Sequence, residues 1–89
     1  MMKSKVIIKA IFPSLDKCYD IKIPVNEIMW KVSKLLAKAV YDINGINIDI
    51  MNSSFVLMNK TSGTIYDLNT TVIDSDIRNG TEIVLFKVG

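Results

Sequence analysis

Residues 66–86 read YDLNTTVIDSDIRNGTEIVLF, and this stretch decides the fold. Its last part, extended to "TEIVLFKV" (81–88), is rich in β-formers that alternate, so it reads as a final strand. "NTTVIDSDIRNG" (69–80) is a turn-rich connection ahead of it. Ile77 is the expected buried pin of that connection, and Asn79–Gly80 its tight turn. Working back, "SFVLMNK" and "GTIYDL" flank "TSG" and read as a strand, a turn and a second short strand. "INIDIMNSS" (46–54) is either a short strand or a covered loop, since Ile46, Ile48 and Ile50 alternate with Asn47 and Asp49.

Further upstream the spacing changes. From Ile28 the stripe Ile28, Val32, Leu35, Leu36, Ala39 and Ile43 recurs at helical intervals. Asn26 is a good N-cap, with Glu27 favouring the positive end of the helix, and Asn44–Gly45 is a strong stop. At the start, "KVIIKAIF" (5–12), the turn "PSLDK" and "CYDIKIP" (18–24) make a β-hairpin closed by Pro24. In its second strand Tyr19, Ile21 and Ile23 share one face, Asp20 and Lys22 the other. A lone helix must bury its stripe on one face of a sheet. The first and last strands can then lie parallel in the middle, with the helix across them. The expected fold class is therefore α+β, a β-grasp. It has an N-terminal hairpin, one long helix over about 26–44 and two to three further strands in a mixed sheet, all in a single domain spanning 1–89.

Bulk properties narrow the function. The chain has 89 residues, 49% of them apolar, enough for one core. No apolar run approaches the roughly 20 residues of a membrane helix. The charged start, "MMKSKVIIKAIFPSLDK", is interrupted by Lys9 and reads as a strand and not a signal peptide, which implies a cytoplasmic home. Cys18 is the only cysteine, in keeping with a reducing compartment. The glycosylation-type triplets at Asn52, Asn59, Asn69 and Asn79 are then accidents of composition. With 11 basic and 9 acidic residues the net charge is +2, too balanced to imply nucleic acid or anionic lipid as a partner.

The stretch that opened the reading also carries a resemblance. "YDLNTTVIDSDIRNGTEIVLF" resembles the ubiquitin-like pattern of a leucine, a short loop, a buried isoleucine, a turn and a final alternating strand. Leu68, Ile77, Ile83 and Leu85 match its buried positions, and "IPVNEI" (23–28) resembles the passage from the second strand into the helix. Within the ubiquitin-like superfamily the chain is most similar to the YukD/EsaB group, small bacterial proteins associated with type VII secretion. The grounds are its compact size, "FVLMNK", "IRNGTEI" and an end without Gly-Gly. The resemblance implies an accessory or regulatory role beside the secretion machinery.

The sequence offers little chemistry. Conjugation or sulfur transfer needs a flexible Gly-Gly tail that an activating enzyme can thread. Here Lys87 and Val88 precede the single Gly89 directly after the strand, so the reading favours a chain that is not conjugated; a modifier or sulfur carrier acting through Gly89 is the alternative. There is no histidine, which removes the commonest general base and metal ligand. Cys18 has no clear activating neighbour and reads as buried or incidental. Asp74, Asp76 and Glu82 in "DSDIRNGTE" are faintly like a calcium loop. Arg78 stands where an oxygen ligand belongs and Asn79 where the loop needs glycine, so a polar turn is the better reading. "KTSGT" is a hairpin and not a phosphate loop. No catalytic, cofactor-binding or metal residue is assigned, and the chain reads as no enzyme.

What remains is a surface for another protein. Alternation turns Val6, Ile8, Ala10, Phe55, Leu57, Ile83 and Leu85 inward. It leaves Ile7, Ile11, Val56, Met58, Val84 and Phe86 on the outer sheet face, the candidate interaction site. Cover by a loop or by the N-terminal residues is the competing reading. A second candidate is the helix column of Trp30, Lys34, Ala37 and Tyr41, opposite the core stripe. The preferred reading there has Trp30 tucked against the Pro24 turn and Tyr41 covering "INIDI". Lys31, Lys34 and Lys38 read as a solvated face. The expected partner is a secretion-machinery protein. Self-association through the patch or the hairpin edge, giving a homodimer, is a further alternative.

Overall fold

The structure is a computed structural model that describes residues 4–88. Strands β1 (Lys5–Phe12) and β2 (Lys17–Pro24) form an antiparallel hairpin in unbroken register, from Lys5 opposite Pro24 to Phe12 opposite Lys17. A 3-10 turn, Pro13–Leu15, joins them. Proline presets its φ, and Asp16 closes it at φ 53°, a left-handed conformation aspartate tolerates. Helix α1 (Met29–Ile43), strand β3 (Ser54–Asn59) and strand β4 (Glu82–Val88) follow. The sheet order is β2-β1-β4-β3, with β1 and β4 parallel at its centre and the outer pairs antiparallel. This is the β-grasp arrangement, a mixed sheet with one helix.

The core lies between α1 and one sheet face. Ile8, Ala10 and Phe12 come from β1, Phe55 and Leu57 from β3, and Ile83 and Leu85 from β4. Val72 and Ile77 pin the long connection onto them, 0% and 2% exposed. Gly80, at φ +87°, turns the chain into β4, and its N–H reaches the Ile7 carbonyl at 2.8 Å. Among the described residues no helix is long and apolar enough to cross a membrane.

Three expectations are corrected. The helix starts at Met29 and not near Asn26. Ile28 precedes it with extended backbone and no side-chain cap. Residues 25–28 are instead tied to the long connection: Val72 and Ile73 donate to the Glu27 and Val25 carbonyls. The first helical N–H groups then find tertiary acceptors, Met29 on Thr70 (2.9 Å) and Trp30 on Leu68 (3.1 Å). These bonds do the work a capping side chain would do.

The helix is also rotated from its expected phase. Its buried residues are Met29, Val32, Ser33, Leu36, Ala37, Val40 and Tyr41. Only Val32 and Leu36 belong to the expected stripe; Leu35 and Ile43 are 59% and 69% exposed. The aromatic decides the rotation. Tyr41 meets Phe12 edge-on, centroids 6.2 Å apart and planes at 86°. Ser33 can go inward because its hydroxyl donates to the Trp30 carbonyl at 2.8 Å. The C-terminus does stop at Asn44–Gly45. Gly45 N–H reaches the Asp42 carbonyl and Ile46 N–H the Tyr41 carbonyl, with Gly45 at φ +69°. That pair of bonds is the Schellman motif, which needs the left-handed glycine.

Finally, the second short strand reduces to one bridge, Met58 with Ile65. Past Tyr66 the chain turns away at Asp67, whose carboxylate accepts the Asn69 N–H, and hands its carbonyls to the helix start. "INIDIMNSS" is a loop up to Ser53, held by Asp49 contacts to Asn52 and Ser53.

Candidate functional site

The strand registers define what the outer sheet face presents. Opposite residues in a ladder point the same way, about 5 Å apart, so the outward side chains form rows across the strands. One row runs Cys18, Ile11, Val84, Met58, Ile65. The neighbouring row holds Phe86 and Val56, and beyond it Val88 lies opposite Ser54. Val84 is the floor of this surface at 6% exposure, because it sits on a central strand between Ile11 and Met58. Phe86, at 40%, stands up from it. Ile11, Val56 and Met58 are half-buried.

Five of the six residues singled out by alternation are thus contiguous: Ile11, Val56, Met58, Val84 and Phe86. Ile7 is not joined to them. It faces the same side, but the row Asp20, Lys9, Glu82 intervenes, with Lys60 Nζ 3.9 Å from Glu82 Oε2 at its end. Ile7 and Ile11 are four residue steps apart along β1, about 13 Å. Ile7 lies at the sheet's other end, where its N–H donates to Asn79 Oδ1 at 2.9 Å. Alternation fixes a face but not the content of the row in between.

Ile65 is the residue the sequence reading missed. It is 64% exposed and extends the apolar row beyond the edge of β3. Its signal was present in "GTIYDL": with Tyr66 turned inward, Ile65 must turn outward.

The helix column breaks up. Tyr41 and Ala37 are core, 6% and 0% exposed, so they offer no exposed interface, while Ile48 and Ile50 of "INIDI" pack against the same core. Trp30 is 41% exposed, with Lys31 Nζ 5.6 Å from its ring centroid. Lys34 is half-buried and donates to the Met51 carbonyl at 3.3 Å. Lys31 and Lys38 pair with Glu27 and Asp42 one turn away. Trp30, Lys34, Leu35, Ile50 and Met51 line a shallow apolar hollow on this side.

The polar groups serve structure. Asn59 Nδ2 donates to the Tyr66 hydroxyl at 3.0 Å, and that hydroxyl donates to Asp76 Oδ1 at 2.7 Å. Asn59 Oδ1 accepts the Thr61 and Ser62 N–H groups, so the network binds the β3 turn to the long connection. Asp76 is occupied here, and no cluster of three metal-ligating side chains occurs among the described residues. Cys18 is exposed on β2 and not buried. Gly89, the candidate for conjugation, lies outside the described residues.

Burial, then the bond to Asp76, pushes the Tyr66 hydroxyl up to about 12. An acid whose folded pKa exceeds its unfolded value, about 10, contributes stability that is complete below 10 and lost as pH rises toward 12. Tm is therefore expected to fall more steeply between pH 10 and pH 12 in the wild type than in Tyr66→Phe. Equal slopes in a thermal melt series would remove Tyr66 from that role.

Neither a family model nor a curated protein matches the sequence. Solved structures do match in shape. The ubiquitin-like domain of EccD5 from Mycobacterium xenopi superposes with TM-score 0.74 at 12% identity, covering 96% of each chain. The ubiquitin-like domain of the type VII secretion protein EccD1 of Mycobacterium tuberculosis gives 0.70 at 9% identity, covering 92% of this chain and 97% of that one. A chain of a toluene 4-monooxygenase HD complex gives 0.75 at 13% identity, covering 92% and 96%. Secretion domains and an oxygenase component thus share one architecture, and fold alone does not choose between their roles. The likeness establishes the fold of this chain, a ubiquitin-like β-grasp with structural neighbours among type VII secretion domains.

Proposed function

We propose that this chain is a non-catalytic, non-conjugated docking module of the YukD/EsaB kind, an accessory or regulatory component of a type VII secretion system. The observation that carries the proposal is the apolar surface of Ile11, Val84, Met58 and Ile65 with Val56 and Phe86, which no described segment covers. Monomeric proteins seldom leave such a surface bare unless a partner covers it. The shape likeness to EccD ubiquitin-like domains supports a partner in the secretion machinery. Balanced charge argues against nucleic acid, and we place the chain in the cytoplasm, bound to protein and not inserted in lipid.

The test is genetic. Deleting the gene in its host is expected to reduce export of small helical type VII substrates. Wild-type complementation restores export, and a Val56→Asp, Phe86→Asp variant does not. Normal export in the deletion strain would sink the secretion role. Adenylation of Gly89 by an activating enzyme and ATP, read by mass, would sink the non-conjugated reading.

A further inference from the structure

β2 is an edge strand, and no described segment pairs with its outer side. The orientation of its backbone is fixed. Val25 N–H bonds the Ser4 carbonyl at 3.1 Å, and the register continues without a bulge. Odd-numbered residues of β2 therefore send N–H and C=O toward β1. The even-numbered ones, Cys18, Asp20, Lys22 and Pro24, point their backbone groups away from the sheet. Their side chains lie on the outer sheet face, while Tyr19, Ile21 and Ile23 face α1.

We infer that this edge pairs with the same edge of a second copy, antiparallel, about a two-fold axis through Ile21. An antiparallel pair of identical edges needs its axis perpendicular to the sheet, so inward residues meet inward ones and only every second register is allowed. With the axis at Ile21, each Asp20 lies opposite Lys22 of the second copy, Tyr19 opposite Ile23 and Cys18 opposite Pro24. Moving the axis to residue 20 sets Asp20 against Asp20. Moving it to residue 22 sets Lys22 against Lys22. The strand is thus complementary to itself in charge in one central register and repels itself in the registers on either side.

The backbone agrees with this register. Asp20 and Lys22 exchange both ladder bonds with their counterparts, and the Cys18 N–H reaches the Pro24 carbonyl. Proline lacks an N–H to offer there, and it is tolerated at an edge for that reason. Lysine and proline on an edge usually blunt pairing; with the axis at Ile21, Lys22 meets Asp20 and not itself, and Pro24 offers only its carbonyl. The helix supplies apolar area beside the edge. Ile21, Ile23, Val32, Leu35 and Ala39 line a groove between β2 and α1, and Leu35 stands 59% exposed on its rim. The two-fold brings the two grooves together along the paired strands. One strand pair is small beside the roughly 1,200–2,000 Å² of stable interfaces, so the dimer is weak and reversible. It leaves the outer sheet face free, and its test is independent of the secretion proposal.

The experiment uses charge exchange on the whole chain, read by analytical ultracentrifugation from millimolar to micromolar protein. The wild type is expected to pass from dimer to monomer on dilution. Asp20→Lys and Lys22→Asp each replace two attractive contacts by two repulsive ones and should weaken the dimer about tenfold. The double exchange D20K/K22D restores it to within about threefold. An equimolar mixture of the two single variants should form a heterodimer more tightly than either forms alone, because each then meets the opposite charge. Amide exchange over 17–24, followed by mass spectrometry, should slow at high concentration in the wild type and in D20K/K22D, and much less in either single variant. Far-UV dichroism checks that these exposed substitutions leave the fold intact. A wild type that stays monomeric throughout, single variants that associate as tightly as the wild type, or a mixture no tighter than its components would overturn the inference.

Discussion

Replacing Tyr41 with alanine is expected to destabilise the domain by about 3–5 kcal/mol, the range for deleting a buried aromatic side chain. The ring is 6% exposed, packs edge-on against Phe12 and closes the core beneath the C-terminal half of α1. Small domains hold only about 5–15 kcal/mol in total, so the variant should unfold at much lower urea or not fold at all. Leu35→Ala and Ile43→Ala, at dilute protein, should stay within about 0.5 kcal/mol, because both side chains stand mostly in water. Urea titrations followed by the fluorescence of Trp30, the only tryptophan, measure all three. The contrast tests the rotation of the helix directly. A costly Leu35→Ala beside a near-neutral Tyr41→Ala would return α1 to the stripe expected from its spacing.

That contrast also shows where the sequence was legible. A strand has only two faces, so alternation through Ile83, Val84, Leu85 and Phe86 gives a binary choice, and the pinned turn at Asn79–Gly80 settles it. A helix has a continuous choice of phase. α1 carries apolar residues around most of its circumference, so the stripe through Leu35, Ala39 and Ile43 and the true face through Met29, Val40 and Tyr41 overlap at Val32 and Leu36. What decides between them is the ring of Phe12 on a distant strand. The helix start fails for the same kind of reason. A capping side chain can be read locally, but the carbonyls of Leu68 and Thr70 cannot. The outer sheet face was readable strand by strand and unreadable in its outline. Which rows adjoin depends on pairing between strands far apart in the chain, and that pairing puts Lys9 and Glu82 between Ile7 and the rest.

The outline can be tested against the partner. If the proposed docking is right, Phe86→Ala is expected to weaken capture of the partner about 30-fold or more, the scale on which an aromatic anchor at the centre of an interface acts. Ile7→Ala should change it less than about twofold, since residues outside such a centre contribute little. Both side chains are comparably exposed, 40% and 45%, so a surface recognised only for general apolarity would treat them alike. The rows make them different. Phe86 sits beside Val56 and next to the Val84 floor, whereas Ile7 is walled off by Lys9, Glu82 and Lys60. Titration of the purified partner against each variant gives the ratio, and salt supplies the control. Binding through the apolar rows should hold between low and high ionic strength. Binding through the charged row should weaken as screening shortens the reach of Lys9 and Glu82. If Ile7→Ala proved the more damaging and affinity fell with salt, the partner would be reading the hairpin end of the sheet, and the docking centre would move to Ile7.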